Sequence, residues 1–373
     1  MSVNRNLRMD NAKGILIMLV VTGHFLLPLQ GRTRVCTNLF YVIYVFHMAA
    51  FTFISGLFSR NIYCGKEKKF FNYRQLFKTL WLYVIFEIIV FFSEVPAYGR
   101  SSTWPDLLHE EGAPWYLLAL CIWYMFIPLL TVLKEHVFKK DSLLLLVLVI
   151  LSLAGGYLRG LGELLSLERI IAFAPFFYAG HFMGTERLES FLCGESKMQV
   201  KVMWCFIETL AVFSVLAVAF FMYDHLLPYH DAVFGVWYER FRVHEHPESF
   251  TGILHELWIL RLIWYFAAFA MTLAFLKRMP SGKVPVLTLM GQRTLQIYIL
   301  HRPVRDLLYA AGLITCFDPG KPVDLIIVLL FCIALSVVLS AGVFTKIFEL
   351  ILIPFRKKQI LSRRDHHNTK ELL

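Results

Sequence analysis

The chain has 373 residues, of which 58% are hydrophobic and only 17% are charged. A soluble domain averages about 45–50% apolar and about 25% charged residues, so this composition argues against a soluble protein. The net charge of +10 at pH 7 is explained by basic residues at cytoplasmic helix ends, and nucleic acid is therefore not expected as a partner.

Apolar stretches recur along the whole chain and predict an all-α, polytopic transmembrane bundle of about ten helices. The predicted segments cover residues 14–29, 39–58, 76–92, 115–133, 142–158, 168–184, 203–223, 254–276, 286–301 and 324–345. Segments one and nine are short for a bilayer about 30 Å thick, so we expect flanking turns or a break in them. Residues 1–355 would form one transmembrane domain, and residues 356–373 a basic cytoplasmic tail.

The distribution of lysine and arginine predicts that both termini are cytoplasmic. With the N-terminus inside, 25 of the 37 basic residues fall in inner stretches and ten in outer stretches. Cytoplasmic loops are enriched in basic residues, so the count supports this orientation for a multi-pass protein of the cell membrane. The longest loop, residues 224–253, would then lie outside.

That loop contains His244-Glu245-His246-Pro247, which does not predict a metal site. A zinc-binding H-E-x-x-H motif needs its two histidines one helical turn apart, and a proline after His246 disfavours a helix. We expect no metal and interpret the loop as a possible contributor to an acceptor site.

Lys13 and His24 form the first candidate functional pair, because a helix would place them on one face. Eleven residues advance roughly 1100°, about 20° from a whole number of turns, and rise about 16 Å. The cation would lie at one edge of the hydrocarbon layer and the imidazole near its middle. An imidazole at that depth is costly and usually has a function.

Two further ionisable groups fall at a similar depth and complete a candidate catalytic set with His24. The helical rise puts His47 about 12 Å below the outer edge and Glu87 roughly 16 Å above the inner edge. The alternative is that these groups only tie helices together by hydrogen bonds.

Arg261 and Arg293 are additional charges within predicted spans. Charges at membrane depth require partners, and Glu87 and Glu208 are the candidates.

Basic residues near the predicted inner edge form a candidate donor-binding set. It comprises Arg8, Lys13, Lys66, Lys68, Lys69 and Arg74, with Lys78 close by. These cations could bind the phosphates of a nucleotide-containing donor. Alternatively, they only set the topology and attract anionic lipids.

Aromatic and polar residues at the opposite edge form a candidate acceptor-binding set. Trp115 opens segment four, while Tyr298, His301 and Arg302 close segment nine. An aromatic belt alone explains Trp115 and Tyr298 at this level. A hydroxyl-rich acceptor also needs polar groups, which His301 and Arg302 would supply.

Several of these residues belong to longer motifs that occur in a fixed order along the chain. The first motif is a basic residue followed, after ten further residues, by a histidine, and Lys13 and His24 fit it. The second motif lies in segment two and runs from Phe46-His47-Met48 to Ser55-Gly56. The later motifs are Trp115–Leu120, Pro175–Gly180 and Tyr298–His301. The series resembles the acyltransferase-3 family of integral membrane acyltransferases, although Ala49 stands where that family frequently has proline.

The resemblance implies an enzyme that moves an acyl group, most often acetyl, from acetyl-CoA to a hydroxyl of a carbohydrate such as a cell-envelope polysaccharide. It implies acetyl-CoA as a donor, with no permanently bound cofactor. The implied partners are the lipid bilayer, the acyl-CoA, the carbohydrate acceptor and glycan-assembly proteins. His24 would act as a general base or carry the acyl group itself.

Two other functional classes remain open at this stage. A proton-coupled transporter would also use midplane His, Glu and Arg residues, although it would more often show paired repeats or broken helices in matching positions. A non-catalytic scaffold for glycan assembly is the second.

Overall fold

The computed structural model describes residues 6–64, 70–99, 104–109, 112–158, 164–194, 198–238 and 257–355, which contain twelve α-helices. The helices are α1 Leu7–Leu26, α2 Arg34–Phe58, α3 Tyr73–Tyr98, α4 Trp115–Leu133, α5 Asp141–Gly155, α6 Leu167–Cys193, α7 Met198–Phe221, α8 Leu257–Arg278, α9 Pro285–Gln292, α10 Thr294–Ala310, α11 Pro322–Leu339 and α12 Gly342–Ile351. Two short strands, β1 Tyr63–Cys64 and β2 Phe70–Phe71, pair antiparallel between α2 and α3.

Polar residues fix where the first three helices begin. The side-chain oxygens of Asn6, Thr33 and Asn72 each accept a hydrogen bond from a backbone N–H three residues further along the chain. Such N-caps satisfy one of the backbone donors that a helix start leaves unpaired. At its other end, α3 stops at Gly99, whose φ of 64° lies in the left-handed region. Glycine adopts that conformation without a Cβ clash.

These helices confirm the predicted polytopic bundle. Each of the ten predicted segments coincides with one helix or with two consecutive helices. Seven helices of the described chain are long and apolar enough to cross a membrane, and they begin at Leu7, Arg34, Tyr73, Trp115, Met198, Leu257 and Pro322. The cytoplasmic position of both termini stays a prediction, and residues 356–373 lie outside the described residues.

Predicted segments nine and ten are each divided into two helices, and residues near the two breaks are hydrogen-bonded to each other. Arg293 separates α9 from α10 with φ −118° and ψ 23°, and it donates a hydrogen bond to the carbonyl of Ser340 at 2.5 Å. Gln296 donates to the neighbouring carbonyl of Leu339 at 2.6 Å. Both carbonyls belong to the end of α11, where helical partners are missing. Either flanking turns or a break was expected in segment nine, whereas segment ten was predicted as continuous.

In two helix pairs, the backbones are in direct contact. A Cβ atom added to Gly56 of α2 would lie 1.9 Å from the carbonyl oxygen of Phe177 in α6. A Cβ atom on Gly291 of α9 would lie 1.7 Å from the carbonyl oxygen of Asp10 in α1. Small residues permit this close approach between membrane helices. The α2–α6 and α1–α9 pairs therefore leave no room for side chains at these two points.

Candidate functional site

A cavity of about 200 Å³ lies beside Lys13, between α1, α2, α3, α4 and α10, and is called here the Lys13 cavity. Its polar lining consists of Lys13, Ser55, Gln75, Lys78, Thr79 and Thr294, and its aromatic lining of Phe51, Tyr116, Tyr124 and Tyr298. Two ammonium groups therefore stand next to a mostly apolar wall. Such a lining suits a ligand that has a phosphate at one end and an uncharged arm at the other.

The position of Lys13 in this cavity is set by α1 itself. Its Nζ lies 2.8 Å from Oδ1 of Asp10, one helical turn earlier, and 5.4 Å from the centre of the Phe58 ring. The Asp10 carboxylate also accepts a hydrogen bond from Gln292 at 3.4 Å. Because the Lys13 side chain is still 22% exposed, its ammonium can reach a ligand while it keeps these contacts.

An adjoining cavity at the start of α3 extends this positively charged region. Arg74 lines it together with Gln75 and Lys78, and the latter two residues also line the Lys13 cavity. Arg74 additionally donates a hydrogen bond to the carbonyl of Phe355. Of the predicted donor-binding residues, Lys13 and Arg74 thus lie in adjoining cavities.

A second cavity of about 150 Å³, called here the His24 cavity, contains most of the predicted catalytic and acceptor-binding residues. Its polar and aromatic lining consists of His24, Tyr44, His47, Trp115, Arg169, Phe173, Phe234, Tyr298 and Arg302. Four helices contribute the two histidines and two arginines: α1, α2, α6 and α10. Residues that are far apart in sequence therefore meet in one chamber.

The two cavities meet at a shared wall. Val20 of α1, Met48 of α2 and Tyr298 of α10 line both of them. These three residues define what we call the junction. The path from Lys13 to His24 follows α1 and rises about 16 Å, as the helical geometry predicts for eleven residues.

The rings of His24 and His301 contact each other beside the His24 cavity, and the ring of His47 lines the same cavity. The ring centres of His24 and His301 are 5.0 Å apart, and His301 itself stands behind the cavity wall. Nδ1 of His47 is 2.8 Å from the carbonyl oxygen of Ile43, and Nδ1 of His301 is 3.2 Å from that of Ile297. A neutral ring that donates from Nδ1 keeps a lone pair on Nε2.

The described residues provide no hydrogen-bond partner for Nδ1 of His24 or for Nε2 of His301, and both atoms are buried. Buried polar atoms are normally paired. His24, His47 and His301 therefore offer ring nitrogens that can accept or hold a proton. Proton transfer to and from a bound hydroxyl is chemistry that such a group can perform.

Arg302 is fixed by an ion network between α3 and α10. Its guanidinium lies 2.9 Å from Glu94 and 3.8 Å from Asp306. Asp306 also accepts hydrogen bonds from Arg305 at 2.5 Å and from Ser93 at 2.8 Å. In a low-dielectric site, a network with paired members holds its charges in one geometry.

Two of the predicted site residues lie away from both cavities. Glu87 is buried, its Oε1 has no hydrogen-bond partner among the described residues, and it lines neither the Lys13 nor the His24 cavity. Arg8 forms an ion pair with Glu189 at 3.3 Å and donates to the carbonyl of Met279 at 3.1 Å. Their predicted catalytic and donor-binding roles stay predictions.

Several predicted residues fall outside the described part of the chain. They are Lys66, Lys68 and Lys69 of the donor-binding set and His244 and His246 of the long loop.

The prediction that Glu87 or Glu208 pairs with Arg261 and Arg293 was wrong. Arg261 donates hydrogen bonds to the carbonyls of Ser152, at 3.2 Å, and Val236, and its guanidinium stacks 4.5 Å from the ring centre of Tyr238. Glu208 instead pairs with Arg278 at 3.3 Å. Backbone carbonyls at helix ends and beside loops satisfy a guanidinium without a second buried charge.

Arg169 and Tyr44 were not singled out from the sequence, although both line the His24 cavity. Arg169 was counted only as an outer-loop cation. Its position two residues into α6 was the available signal, because the charge sits at the edge of an apolar segment.

A known protein family matches most of this chain. Residues 6–344 match a family described as an acyltransferase domain. No curated protein and no solved structure matches the chain. Since the matched region covers more than half of the chain and includes both cavities, the protein belongs to the acyltransferase-3 family of membrane acyltransferases.

Proposed function

We propose that this acyltransferase moves an acyl group, acetyl in the first place, from acyl-CoA to a hydroxyl group of a carbohydrate. The observation that carries the proposal is the junction, at which Val20, Met48 and Tyr298 line both cavities. There a cavity with two lysines, suited to phosphates, adjoins a cavity with two histidines, suited to proton transfer.

The donor would occupy both chambers. The phosphates of acyl-CoA bind near Lys13 and Lys78, where two cations stand beside an apolar wall. The narrow pantetheine arm passes the junction along α1. An extended arm is of similar length to the helical rise of about 16 Å between Lys13 and His24, so the thioester reaches the His24 cavity.

The transfer step then requires one base. The hydroxyl oxygen of the acceptor attacks the thioester carbonyl carbon, a C–O bond forms, the C–S bond breaks, and CoA leaves as the thiol. His24 takes the hydroxyl proton and returns it to the sulfur, which general acid–base catalysis accelerates by about 10²–10⁴-fold. His47 lines the same chamber and is the second candidate for hydrogen bonding to the attacking hydroxyl.

The proposal is tested with purified protein in lipid vesicles, labelled acetyl-CoA and extracted cell-surface glycans. We expect free CoA to appear and the label to enter the carbohydrate fraction. His24→Ala should lower turnover by roughly 10²–10⁴-fold while acetyl-CoA binding persists. His136→Ala, which changes an exposed histidine after α4, is the matched control and should retain activity.

The same experiment separates the enzyme from the transporter that uses similar residues. Proton-coupled substrate flux without release of CoA would refute the transfer reaction. A fully folded and fully active His24→Ala variant would refute the role of His24 as the base.

A further inference from the structure

The charged side chains that line the His24 cavity are both cationic. They are Arg169 of α6 and Arg302 of α10, and among the described residues in this lining there is no aspartate or glutamate. The acidic partners of Arg302 stand behind it, toward α3, and do not line the chamber. A ligand in this cavity therefore faces positive charge from two different helices.

Both guanidinium groups are held in place before any ligand arrives. Arg302 is only 6% exposed and is bound by Glu94 at 2.9 Å. Arg169 lies with its guanidinium carbon 5.9 Å from the centre of the Trp115 ring, and it donates to the carbonyl of Gly112 at 3.4 Å. A guanidinium with restricted motion loses little entropy when it binds a carboxylate or phosphate, whose geometry it matches.

We propose that the acceptor is an anionic carbohydrate. Its carboxylate or phosphate group is bound by Arg169 and Arg302, while a hydroxyl of the same or the adjoining sugar unit is presented to His24. This inference rests on the proposed transfer reaction and identifies its substrate class. A neutral acceptor would offer the two guanidinium groups only hydroxyl oxygens, whose hydrogen bonds are weaker than the charge-assisted bonds to a carboxylate or phosphate.

The donor does not account for these arginines. The phosphates of acyl-CoA have their own cations, Lys13 and Lys78, on the far side of the junction. The acyl group and the pantetheine arm that would reach the His24 cavity are uncharged. The anion that Arg169 and Arg302 would bind therefore belongs to the second substrate.

The first test compares surface glycans, by mass spectrometry, from cells with and without the gene. We expect the O-acyl groups that disappear to lie on a sugar unit that carries a carboxylate or phosphate, or on its direct neighbour. Reduction of uronic acids and cleavage of phosphodiesters before analysis distinguish the two anions. Loss of O-acyl groups only from uncharged stretches would overturn the inference and leave the transfer reaction standing. Loss of no O-acyl group would overturn the transfer reaction, and with it this inference.

The second test uses variants in the same cells and in vesicles. Arg169→Gln and Arg302→Gln should each lower transfer to the anionic unit by roughly 10- to 100-fold, the range for a hydrogen bond to a charged group. Arg302→Lys should retain part of the transfer activity, because lysine keeps the charge but lacks the planar set of donors of a guanidinium. Arg32→Gln removes an exposed cation that does not line the His24 cavity and should leave transfer unchanged. If the arginine variants weaken only the affinity for acetyl-CoA, Arg169 and Arg302 bind the phosphates of the donor and the inference is wrong.

Discussion

Lys13→Ala should change both donor binding and protein stability, because Lys13 also has a partner within α1. A second variant is needed to separate the two effects. If Lys13 binds a phosphate of acyl-CoA, its loss removes a charge-assisted hydrogen bond worth about 1.5–3 kcal/mol. The dissociation constant for acetyl-CoA should then rise roughly 10- to 100-fold. Lys13→Arg keeps the charge and should retain much of the affinity.

The same substitution also deprives a buried carboxylate of its cation. Asp10 is 3% exposed and lies 2.8 Å from Lys13, and breaking a buried pair costs about 3–5 kcal/mol. We expect about 3 kcal/mol of destabilisation, at the low end of that range, because Gln292 still donates to Asp10. The double variant Asp10→Asn/Lys13→Ala replaces the carboxylate by a neutral amide and should recover most of the thermal stability.

Calorimetric titration with acetyl-CoA measures the affinity for the donor, and a thermal melt of the same samples measures stability. The double variant should melt near the unaltered protein and still bind acetyl-CoA 10- to 100-fold more weakly. If acetyl-CoA affinity returns together with stability, Lys13 acts only as the partner of Asp10. The donor-binding role would then be refuted.

Three further predictions concern the junction, the acceptor side and the topology. Met48→Ala should enlarge the His24 cavity, where the acyl group would lie, and raise the use of butyryl-CoA relative to acetyl-CoA by about tenfold or more. Met125→Ala, whose side chain is 60% exposed, is the control, and equal ratios in both variants would contradict the idea. His301→Ala should weaken transfer to the acceptor with acetyl-CoA binding nearly intact, as measured by titration, and lost donor binding would show that the sides are reversed. In intact cells, an impermeant thiol reagent should label Cys316 in a variant that keeps it as the sole cysteine, whereas Cys193, also exposed, should react only after permeabilisation; the reverse pattern would invert the topology.

The sequence predicted those features that depend on the geometry of a single helix. The eleven-residue spacing of Lys13 and His24 places both on one face of α1, and each of the two residues lines its own cavity. Helical rise also predicts a depth in the membrane for His47 and Glu87. Depth is only one of two coordinates, because rotation about the helix axis decides which neighbour a side chain meets. His47 faces the cavity, whereas Glu87 does not line it.

Contacts between distant helices could not be predicted in this way. His24 meets His301 across α1 and α10, and their ring contact depends on how those two helices pack. The partners of Arg261 were not predicted, because only carboxylates were expected to pair with a buried guanidinium. The observed partners are backbone carbonyls, which every residue carries and which no sequence pattern marks.

The glycine contacts of α2 with α6 and of α1 with α9 restrict how this enzyme can change shape. With backbone against backbone at Gly56 and at Gly291, neither pair can slide without a steric clash, and each should move as one body. Val20 belongs to one body and Met48 to the other. We therefore expect a step that widens the junction to admit or release CoA to displace these two bodies relative to each other, or to move α10 with Tyr298.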